Sequence, residues 1–262
     1  MDPLPENLGN LLDLTEREGV CPDHGPFISR NLFRSRIWSK CPTCADAFAA
    51  ERAIGDEARA AREAEQKHTA MISSSCIPAR FIGRTFESFA ASTDAQRHAL
   101  TTVRHFADEF AQHSRRGAGL ILSGMPGTGK SHLAAALLQA VMTKDVRYVT
   151  CMDLIRAVRD TWRRDSERSE TQVLRYLERL DLLVIDEVGV QYGTDGEQTI
   201  LFDVLDRRYR EIRPTVILTN QDKEELKKFV GERAYDRLTE TCRWVPFDWA
   251  SYRPQARREA AA

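Results

Sequence analysis

A glycine-rich segment, residues 124–131, has the residue types of a phosphate-binding loop. It reads Gly-Met-Pro-Gly-Thr-Gly-Lys-Ser, which matches the G-x-x-x-x-G-K-[ST] pattern in full. Glycines let the backbone curl and aim its N–H groups at an anion, and a following helix adds its positive end. Lys130 is expected to contact β- and γ-phosphates, and Ser131 to bind Mg²⁺. The expected nucleotide contacts are Gly124, Pro126, Gly127, Thr128, Gly129, Lys130, Ser131 and His132.

Two further polar positions each follow an apolar run. Leu182-Leu-Val-Ile is followed by Asp186 and Glu187, and Val216-Ile-Leu-Thr is followed by Asn220. A side chain at the carboxyl end of a parallel strand points into the crevice where ligands bind. We expect Asp186 to hold Mg²⁺ through water and Glu187 to polarise an attacking water. Asn220 is expected to orient that water or to sense the γ-phosphate, although asparagine is also common in turns.

Four potential metal ligands lie near the N-terminus. Cys21 and His24 form a C-x₂-H pair, Cys41 and Cys44 form a C-x₂-C pair, and sixteen residues separate the pairs. Four sulfur and nitrogen ligands suit a tetrahedral structural Zn²⁺, whose binding would help a region of about 50 residues to fold. The alternative is a set of unconnected thiols and a surface histidine. The other cysteines, Cys76, Cys151 and Cys242, are expected to be small buried residues.

The elements that must position these groups alternate between strand and helix. Apolar β-prone runs occur at residues 120–122, 146–150, 182–185, 216–218 and 244–247, with helical patterns at 132–142, 153–162, 171–180 and 197–209. This alternation predicts an α/β fold with a mostly parallel sheet covered on both faces. Residues 45–70 are rich in alanine and charge, which predicts an exposed helical connector. The predicted domains are a zinc-binding domain at 1–50, a helical linker at 51–79 and an ATPase domain at 80–262.

Composition narrows the class of protein. The 262 residues carry 38 basic and 39 acidic side chains, for a net charge of −1, which excludes a uniformly basic, histone-like surface. Six cysteines do not make a disulfide scaffold. No apolar run approaches the ~20 residues of a membrane span, and no signal peptide is visible at the N-terminus. We therefore expect a cytoplasmic protein without a membrane partner.

One predicted helix could contact nucleic acid. Over residues 153–164, Arg156, Arg159 and Arg163 share one face, whereas Trp162 falls on the apolar face and is expected to be core. A row of guanidinium groups suits phosphates of single-stranded DNA. The other interpretation is a solvated face whose charge is balanced by Asp160 and nearby acids.

The motif set resembles the DnaC/IstB-like family of AAA+ ATPases over roughly residues 80–255. The matching segments are residues 123–136, 181–190, 218–220, GlyGluArgAlaTyrAspArgLeu at 231–238 and PheAspTrpAlaSerTyrArg at 247–253. The resemblance implies a five-stranded core that binds ATP and Mg²⁺. It also implies that Arg237 is an arginine finger reaching a neighbouring subunit's ATP, that Arg233 is an accessory residue, and that Arg253 is a sensor arginine.

The resemblance also implies partners. Members of this family include ATP-dependent loaders that place a replicative DnaB-type helicase on single-stranded DNA. Some relatives begin with a zinc-containing helicase-binding domain, so the N-terminal cluster is expected to grip the helicase. The ATPase domains are expected to form an ATP-dependent homo-oligomer. The alternatives are an IstB-like ATPase helper of a transposase and a non-hydrolysing nucleotide-binding module, against which the intact Lys130, Asp186 and Glu187 argue.

Overall fold

The computed structural model describes residues 15–31, 37–141, 145–190 and 194–254. The chain divides into two compact units, residues 1–67 and 68–262. Among the described residues, no helix is both long and apolar enough to cross a membrane. The domain boundaries expected at residues 50 and 79 remain predictions.

The first unit contains an antiparallel hairpin. Strands β1 (Thr15–Cys21) and β2 (Gly25–Asn31) pair so that Cys21 lies opposite Gly25. Gly25 has φ +77°, a left-handed conformation that glycine adopts without strain, and it closes the tight turn. The hairpin therefore places Cys21 at the end of β1 and His24 in the short turn that follows it.

The predicted connector is helical. Helix α1 spans Pro42–Ser75, 34 residues, which is longer than the predicted 45–70 at both ends. Most of its described side chains are exposed, as expected for a helix whose apolar positions are mainly alanine. It ends at Ser75, and the next residue, Cys76, has φ +55° ahead of Pro78. The expectation that Cys76 is buried is wrong, because this residue is exposed, whereas Cys151 is buried and Cys242 is half-buried.

The second unit contains the predicted parallel sheet. Its five strands are β3 (Gly119–Gly124), β4 (Val146–Thr150), β5 (Leu182–Val188), β6 (Thr215–Thr219) and β7 (Cys242–Phe247). They lie in the order β4-β5-β6-β3-β7, and every pair is parallel. All five predicted strands are present. The strand at 146–150 has the predicted bounds, and the other four are longer than predicted at one end or both. Because the strands are parallel, the carboxyl ends of β3, β5 and β6 meet at one edge.

Helices cover both faces of the sheet. They are α2 (Asp94–Asp108), α3 (Phe110–Arg115), α4 (Lys130–Ala140), α5 (Cys151–Arg159), α6 (Glu170–Arg179), α7 (Asp195–Arg210), α8 (Lys223–Val230) and α9 (Glu232–Thr241). In β3, Leu120 and Leu122 join the apolar cluster beneath α2 and α4, whereas Ile121 joins the opposite cluster with α5 to α9. This strict alternation shows why a strand buried on both faces reads as an uninterrupted apolar run.

A buried arginine on α7 connects the end of α6 with the segment before β6. Arg208 on α7 is fully buried and donates to the carbonyls of Leu177 at 2.5 Å, Leu180 at 3.0 Å and Pro214 at 2.5 Å. Burial lowers the pKa of Arg208 to about 9. The guanidinium satisfies carbonyls at the end of α6 and before β6, so it fixes both elements against α7.

The helix predicted over residues 153–162 ends earlier than expected. Helix α5 stops at Arg159, and residues 160–162 form a 3₁₀ turn. The tighter turn rotates Trp162 out of the apolar face, so the residue is 59% exposed and its indole Nε1 donates to Glu170 Oε2 at 2.5 Å. The expectation that Trp162 belongs to the core is wrong for this reason.

Candidate functional site

The glycine-rich loop joins β3 to α4 and is shaped by positive backbone angles. Gly127 has φ +82° and Gly129 has φ +98°. A Cβ at Gly127 would lie 2.1 Å from Ser251 Oγ, and one at Gly129 would lie 2.5 Å from the ring of Phe89. The backbone conformation favours glycine at both positions, and at Gly129 the Phe89 ring also leaves no room for a Cβ. The loop leads directly into the N-terminus of α4, where an anion is stabilised.

Lys130 is held over the loop by three hydrogen bonds. Its Nζ donates to the carbonyl oxygens of Gly124 at 2.6 Å and Met125 at 2.9 Å, and to Asn220 Oδ1 at 2.8 Å. Burial lowers the pKa of Lys130 to about 8, opposed by the charge of Asp186 and assisted by that of Arg253. The ends of β3 and β6 thus bring together the lysine and the asparagine that the sequence singled out.

Asp186 lies at the centre of a second set of contacts. Its Oδ2 accepts hydrogen bonds from Ser131 Oγ, at 2.9 Å, and from the hydroxyl of Tyr148. Burial, and then the charge of Asp186, raises the pKa of Tyr148, so this hydroxyl remains a donor at neutral pH. Sequence reasoning missed Tyr148, because a tyrosine in an apolar strand carries no motif.

The oxygens of Ser131 and Asp186 fit a magnesium ion. Mg²⁺ takes hard oxygen ligands and keeps several of its waters, so one hydroxyl and one carboxylate beside a phosphate suffice. The two atoms lie 2.9 Å apart at the start of α4 and the end of β5. An ion bound there would neutralise part of the charge of the β- and γ-phosphates.

Glu187 adopts a left-handed backbone conformation. Its φ is +59°, which costs a non-glycine residue roughly 1–3 kcal/mol. The backbone N–H of Glu187 donates to Asp186 Oδ1 at 2.6 Å, which helps to hold this geometry. Strain of this kind concentrates at functional sites, and Glu187 lines the cavity beside the loop.

A cavity of about 730 Å³ collects most of the predicted site. The predicted residues that line it are Pro126, Gly127, Thr128, Gly129, Lys130, Ser131, His132, Asp186, Glu187, Asn220 and Arg253. Gly124 lies at the base of the loop and contributes a carbonyl to Lys130. Lining residues without a sequence motif include Arg80, Phe81, Arg84, Phe89, Gln96, Trp249 and Tyr252. Those at 80–96 precede β3 and form a wall that no local pattern predicts.

His132 connects that wall to α4. Its Nε2 lies 2.9 Å from the carbonyl oxygen of Thr85 and 3.1 Å from Ser88 Oγ, and its ring meets Phe89 edge to face at 5.4 Å. Burial lowers the pKa of His132, so the imidazole is neutral at pH 7. His132 thus fastens the wall in place beside the loop.

The segment after β7 folds back over the loop. The indole Nε1 of Trp249 donates to the carbonyl oxygen of Thr128 at 3.0 Å. The backbone N–H of Tyr252 donates to the carbonyl oxygen of Gly127 at 2.9 Å. These contacts bring Arg253 to the cavity, where its charge acts on Lys130. Arg253 therefore lies where a cation can meet a nucleotide phosphate.

Arg237 lies elsewhere, on α9. Its guanidinium stacks over the ring of Tyr209 at 4.4 Å and lies 3.5 Å from Asp206, and the side chain is 37% exposed. Arg233 on the same helix is exposed. Among the described residues that line the cavity, neither arginine is present. Within the described part of the chain, the contacts of Arg237 are thus with α7 and not with the glycine-rich loop.

The arginines that could contact DNA are all paired, and of the three only Arg159 is half-buried rather than exposed. Arg156 lies 3.6 Å from Asp153, Arg159 lies 3.7 Å from Glu197, and Arg163 lies 3.4 Å from Asp165. Glu197 is 5% exposed and caps α7, so Arg159 neutralises a buried carboxylate. The compensating acids are thus these three rather than Asp160, and Arg163 lies beyond the end of α5.

The four N-terminal ligands meet at one point in the first unit. The Sγ atoms of Cys21 and Cys44 are 3.6 Å apart, and His24 Nδ1 lies 3.6 Å from the first and 3.2 Å from the second. All four ligand atoms, including that of Cys41, lie within 4.8 Å of one another. Tetrahedral Zn–S bonds of ~2.3 Å require sulfurs about 3.7 Å apart. The donor set and its spacing therefore fit Zn²⁺.

Comparison with known proteins gives one family. Residues 53–260 match the model of the IstB-like ATP binding proteins. The match leaves out Cys21, His24, Cys41 and Cys44, so the N-terminal cluster lies outside the family region.

Named relatives and solved structures agree with this match. The replicative helicase loader DnaC of Escherichia coli K12 is 42% identical over 172 residues, 64% of this chain and 69% of that protein. DnaC of Buchnera aphidicola subsp. Schizaphis graminum is 35% identical over 68% of this chain and 72% of its own. A crystal structure of the DnaC helicase loader aligns with TM-score 0.58 at 24% identity, over 64% of this chain and 98% of that one, and shows the shared fold.

Proposed function

We propose, from the premise that this chain belongs to the IstB-like ATP binding family, that it is an ATP-dependent loader of a replicative DNA helicase. The observation that carries the ATP-dependent part is the meeting of Lys130, Asn220, Ser131 and Asp186 in one cavity. The relatives named as replicative helicase loaders support the helicase as the partner.

In this proposal each side chain has a separate task. The loop N–H groups and Lys130 bind the β- and γ-phosphates, and Ser131 and Asp186 hold Mg²⁺ with Tyr148 fixing the carboxylate. Glu187 polarises the attacking water, and Asn220 orients it from the end of β6. Arg253 meets the phosphates from the same chain, whereas Arg237 reaches the ATP of a neighbouring subunit. ATP would thus join copies of the chain into an oligomer.

The rest of the chain supplies the partners. The cluster of Cys21, His24, Cys41 and Cys44 holds Zn²⁺ and gives the N-terminal unit a fixed surface for the helicase. The ATPase unit contacts single-stranded DNA, and hydrolysis releases the loader. We place this activity in the cytoplasm.

A loading assay tests the proposal. Purified chain, a DnaB-type hexamer and circular single-stranded DNA are mixed with ATP, and helicase on the circle is counted. Wild type should increase loading, Lys130→Ala should neither bind ATP nor load, and Glu187→Gln should bind ATP without turnover. If the chain binds ATP and a transposase but does not bind the helicase, the loader role is overturned in favour of an IstB-like helper of transposition.

A further inference from the structure

Three potential metal ligands recur every fourth residue where α2 meets α3. They are His105, Glu109 and His113. Although α2 ends at Asp108, the backbone N–H of Glu109 donates to the carbonyl of His105 at 3.0 Å, and that of His113 donates to Glu109 at 3.1 Å. These bonds lie on either side of a break at Glu109, whose φ of −101° and ψ of 22° are not helical, so His105 and His113 come from two separate helices that meet at Glu109.

The ligand atoms of these side chains converge. Each residue offers one atom, and the three atoms lie within 4.8 Å of one another. His105 Nε2 lies 3.3 Å from Glu109 Oε2, and the two imidazole rings are 6.3 Å apart and nearly perpendicular. His105 and Glu109 are 58% and 44% exposed, so an ion can enter from solvent.

His113 is the fixed member of the group. Its ring stacks on Phe106, with centroids 4.5 Å apart and planes 15° apart. Among the described residues, nothing hydrogen-bonds its buried Nε2. The stacking restricts the orientation of the ring, and a neutral imidazole nitrogen is the commonest metal ligand in proteins.

We propose that His105, Glu109 and His113 form a second transition-metal site that takes Zn²⁺. Two imidazoles and one carboxylate are a donor set that zinc accepts, and three protein ligands leave a coordination position open to water or to a group from another molecule. The site differs in kind from the N-terminal cluster, whose four ligands close the shell. A bound ion would fasten α3 to the end of α2.

Metal titration of the full-length chain tests this site. The probes are Zn²⁺, counted by elemental analysis, and Co²⁺, followed by its absorption spectrum. His105→Ala should remove one equivalent of bound Zn²⁺ per chain, or lower the affinity for that equivalent at least about tenfold. His98→Ala is the matched control, because His98 is an exposed histidine of the same helix outside the cluster. The lost cobalt signal should contain no sulfur-to-metal charge transfer, because this site has no cysteine.

The same titration in a Cys41→Ser background separates the two sites. In that background, His105→Ala should abolish tight binding of the remaining Zn²⁺ equivalent, whether or not the N-terminal cluster still holds metal. Glu109→Gln keeps the side-chain volume and should weaken the metal without changing the melting temperature of the metal-free protein. The proposal is overturned if His105→Ala and Glu109→Gln bind as much metal as His98→Ala.

Discussion

Single residues determine how the carboxylate of Asp186 is oriented. Three donors converge on it: the hydroxyls of Ser131 and Tyr148 on Oδ2, and the backbone N–H of Glu187 on Oδ1. Ser131 must turn toward Mg²⁺ in the proposed function, which leaves Tyr148 as the side-chain donor that keeps the carboxylate in place. The strained Glu187 depends on the same anchor, so a change at Tyr148 should be felt at the metal.

Tyr148→Phe should therefore raise the Mg²⁺ concentration needed for half-maximal nucleotide binding. A hydrogen bond to a charged group contributes about 1.5–3 kcal/mol, which corresponds to about tenfold or more. Nucleotide binding without Mg²⁺ should not change, because Lys130 and the loop are untouched. Fluorescent-nucleotide titration at several Mg²⁺ concentrations measures both quantities.

Tyr176→Phe is the control for Tyr148→Phe. It removes a hydroxyl that accepts from Arg147 at 3.0 Å on the surface of the same unit. Its Mg²⁺ dependence should match that of wild type. Equal or tighter Mg²⁺ binding by Tyr148→Phe would refute the positioning role.

Lys130 should take up protons when ATP binds. Its pKa is about 8 in the free protein because it is buried, and phosphates favour the charged form and raise that pKa. Uptake should be largest at and just above pH 8, where free Lys130 is partly neutral, and should vanish near pH 6.5, where it is already charged. Affinity for ATP should accordingly fall as the pH rises through 8. Calorimetry in buffers of different ionisation enthalpy measures the uptake, and a pH-independent result would contradict it.

At the scale of elements, the early end of α5 decides which groups reach solvent. Because the helix stops at Arg159, Trp162 and Arg163 leave the predicted faces. Arg159 neutralises the buried Glu197, whereas Arg156 and Arg163 have exposed partners. Arg156 and Arg163 thus differ from Arg159, because neither of them neutralises a buried carboxylate.

Arg156 and Arg163, changed together to alanine, should weaken single-stranded DNA binding and flatten its salt dependence. Two lost phosphate contacts reduce the slope of log affinity against log salt by about 1.4. ATP turnover without DNA should persist. The control is Arg97 and Arg104 changed together, since both are surface arginines of α2 in ion pairs. Unchanged DNA affinity at several salt concentrations would show that α5 presents only a solvated face.

The position of α9 against α7 determines the role open to Arg237. Tyr209 and Asp206 on α7 hold its guanidinium, and the Tyr209 hydroxyl donates to Glu240 on α9 at 2.8 Å. The stacked arginine is exposed on one side and pre-oriented. This is what a finger that acts on a neighbouring subunit requires.

Arg237→Ala should leave ATP binding by single subunits intact and lower turnover. An arginine finger contributes ~10³–10⁵ in rate in GTPases, so a loss of at least about tenfold is expected here. Arg210→Ala is the matched control, because Arg210 also pairs with Asp206, at 3.0 Å, but is carried by α7. Steady-state phosphate release measures turnover.

Mixing variants distinguishes action within a subunit from action between subunits. Arg237→Ala supplies an intact loop, and Lys130→Ala supplies an intact finger, so a mixture should regain part of the activity. Mixed oligomers without any regained turnover would count against a finger that acts between subunits.

At the scale of the whole molecule, two compact units have different sources of stability. Residues 68–262 bury a sheet between two apolar clusters. In the first unit, residues 1–67, the described buried positions are few and include Cys21 and Cys41. We therefore expect a small unit with so little core to depend on metal ligation for its fold.

Cys41→Ser should therefore separate the two units in function. Metal at the N-terminal cluster should be lost, and residues 1–67 should become sensitive to protease. ATP binding should persist, because the sheet keeps its own core, whereas helicase binding should fail. Cys76→Ser is the control, since Cys76 is exposed and outside the cluster. A Cys41→Ser variant that loses ATP binding but keeps its helicase would contradict this division.

The sequence by itself determined the parts whose cause is local. Alternating apolar runs predicted all five strands, because a strand buried on both faces needs continuous hydrophobicity. The glycine-rich loop was identified because left-handed angles and close backbone approach require glycine at fixed spacing. The two ligand pairs flanking sixteen residues predicted a four-ligand cluster, and the structure brings those ligand atoms together.

The tertiary structure alone decided which distant groups meet. Tyr148 reaches Asp186 because β4 lies beside β5, and residues 80–96 wall the cavity because His132 fastens them to α4. Trp162 is exposed because a helix end, not the apolar period, sets its direction. Each of these features depends on the order of the strands, on a contact between residues far apart in the sequence, or on the residue at which a helix ends. These are set by the free energy of packing the whole unit and not by the local chain.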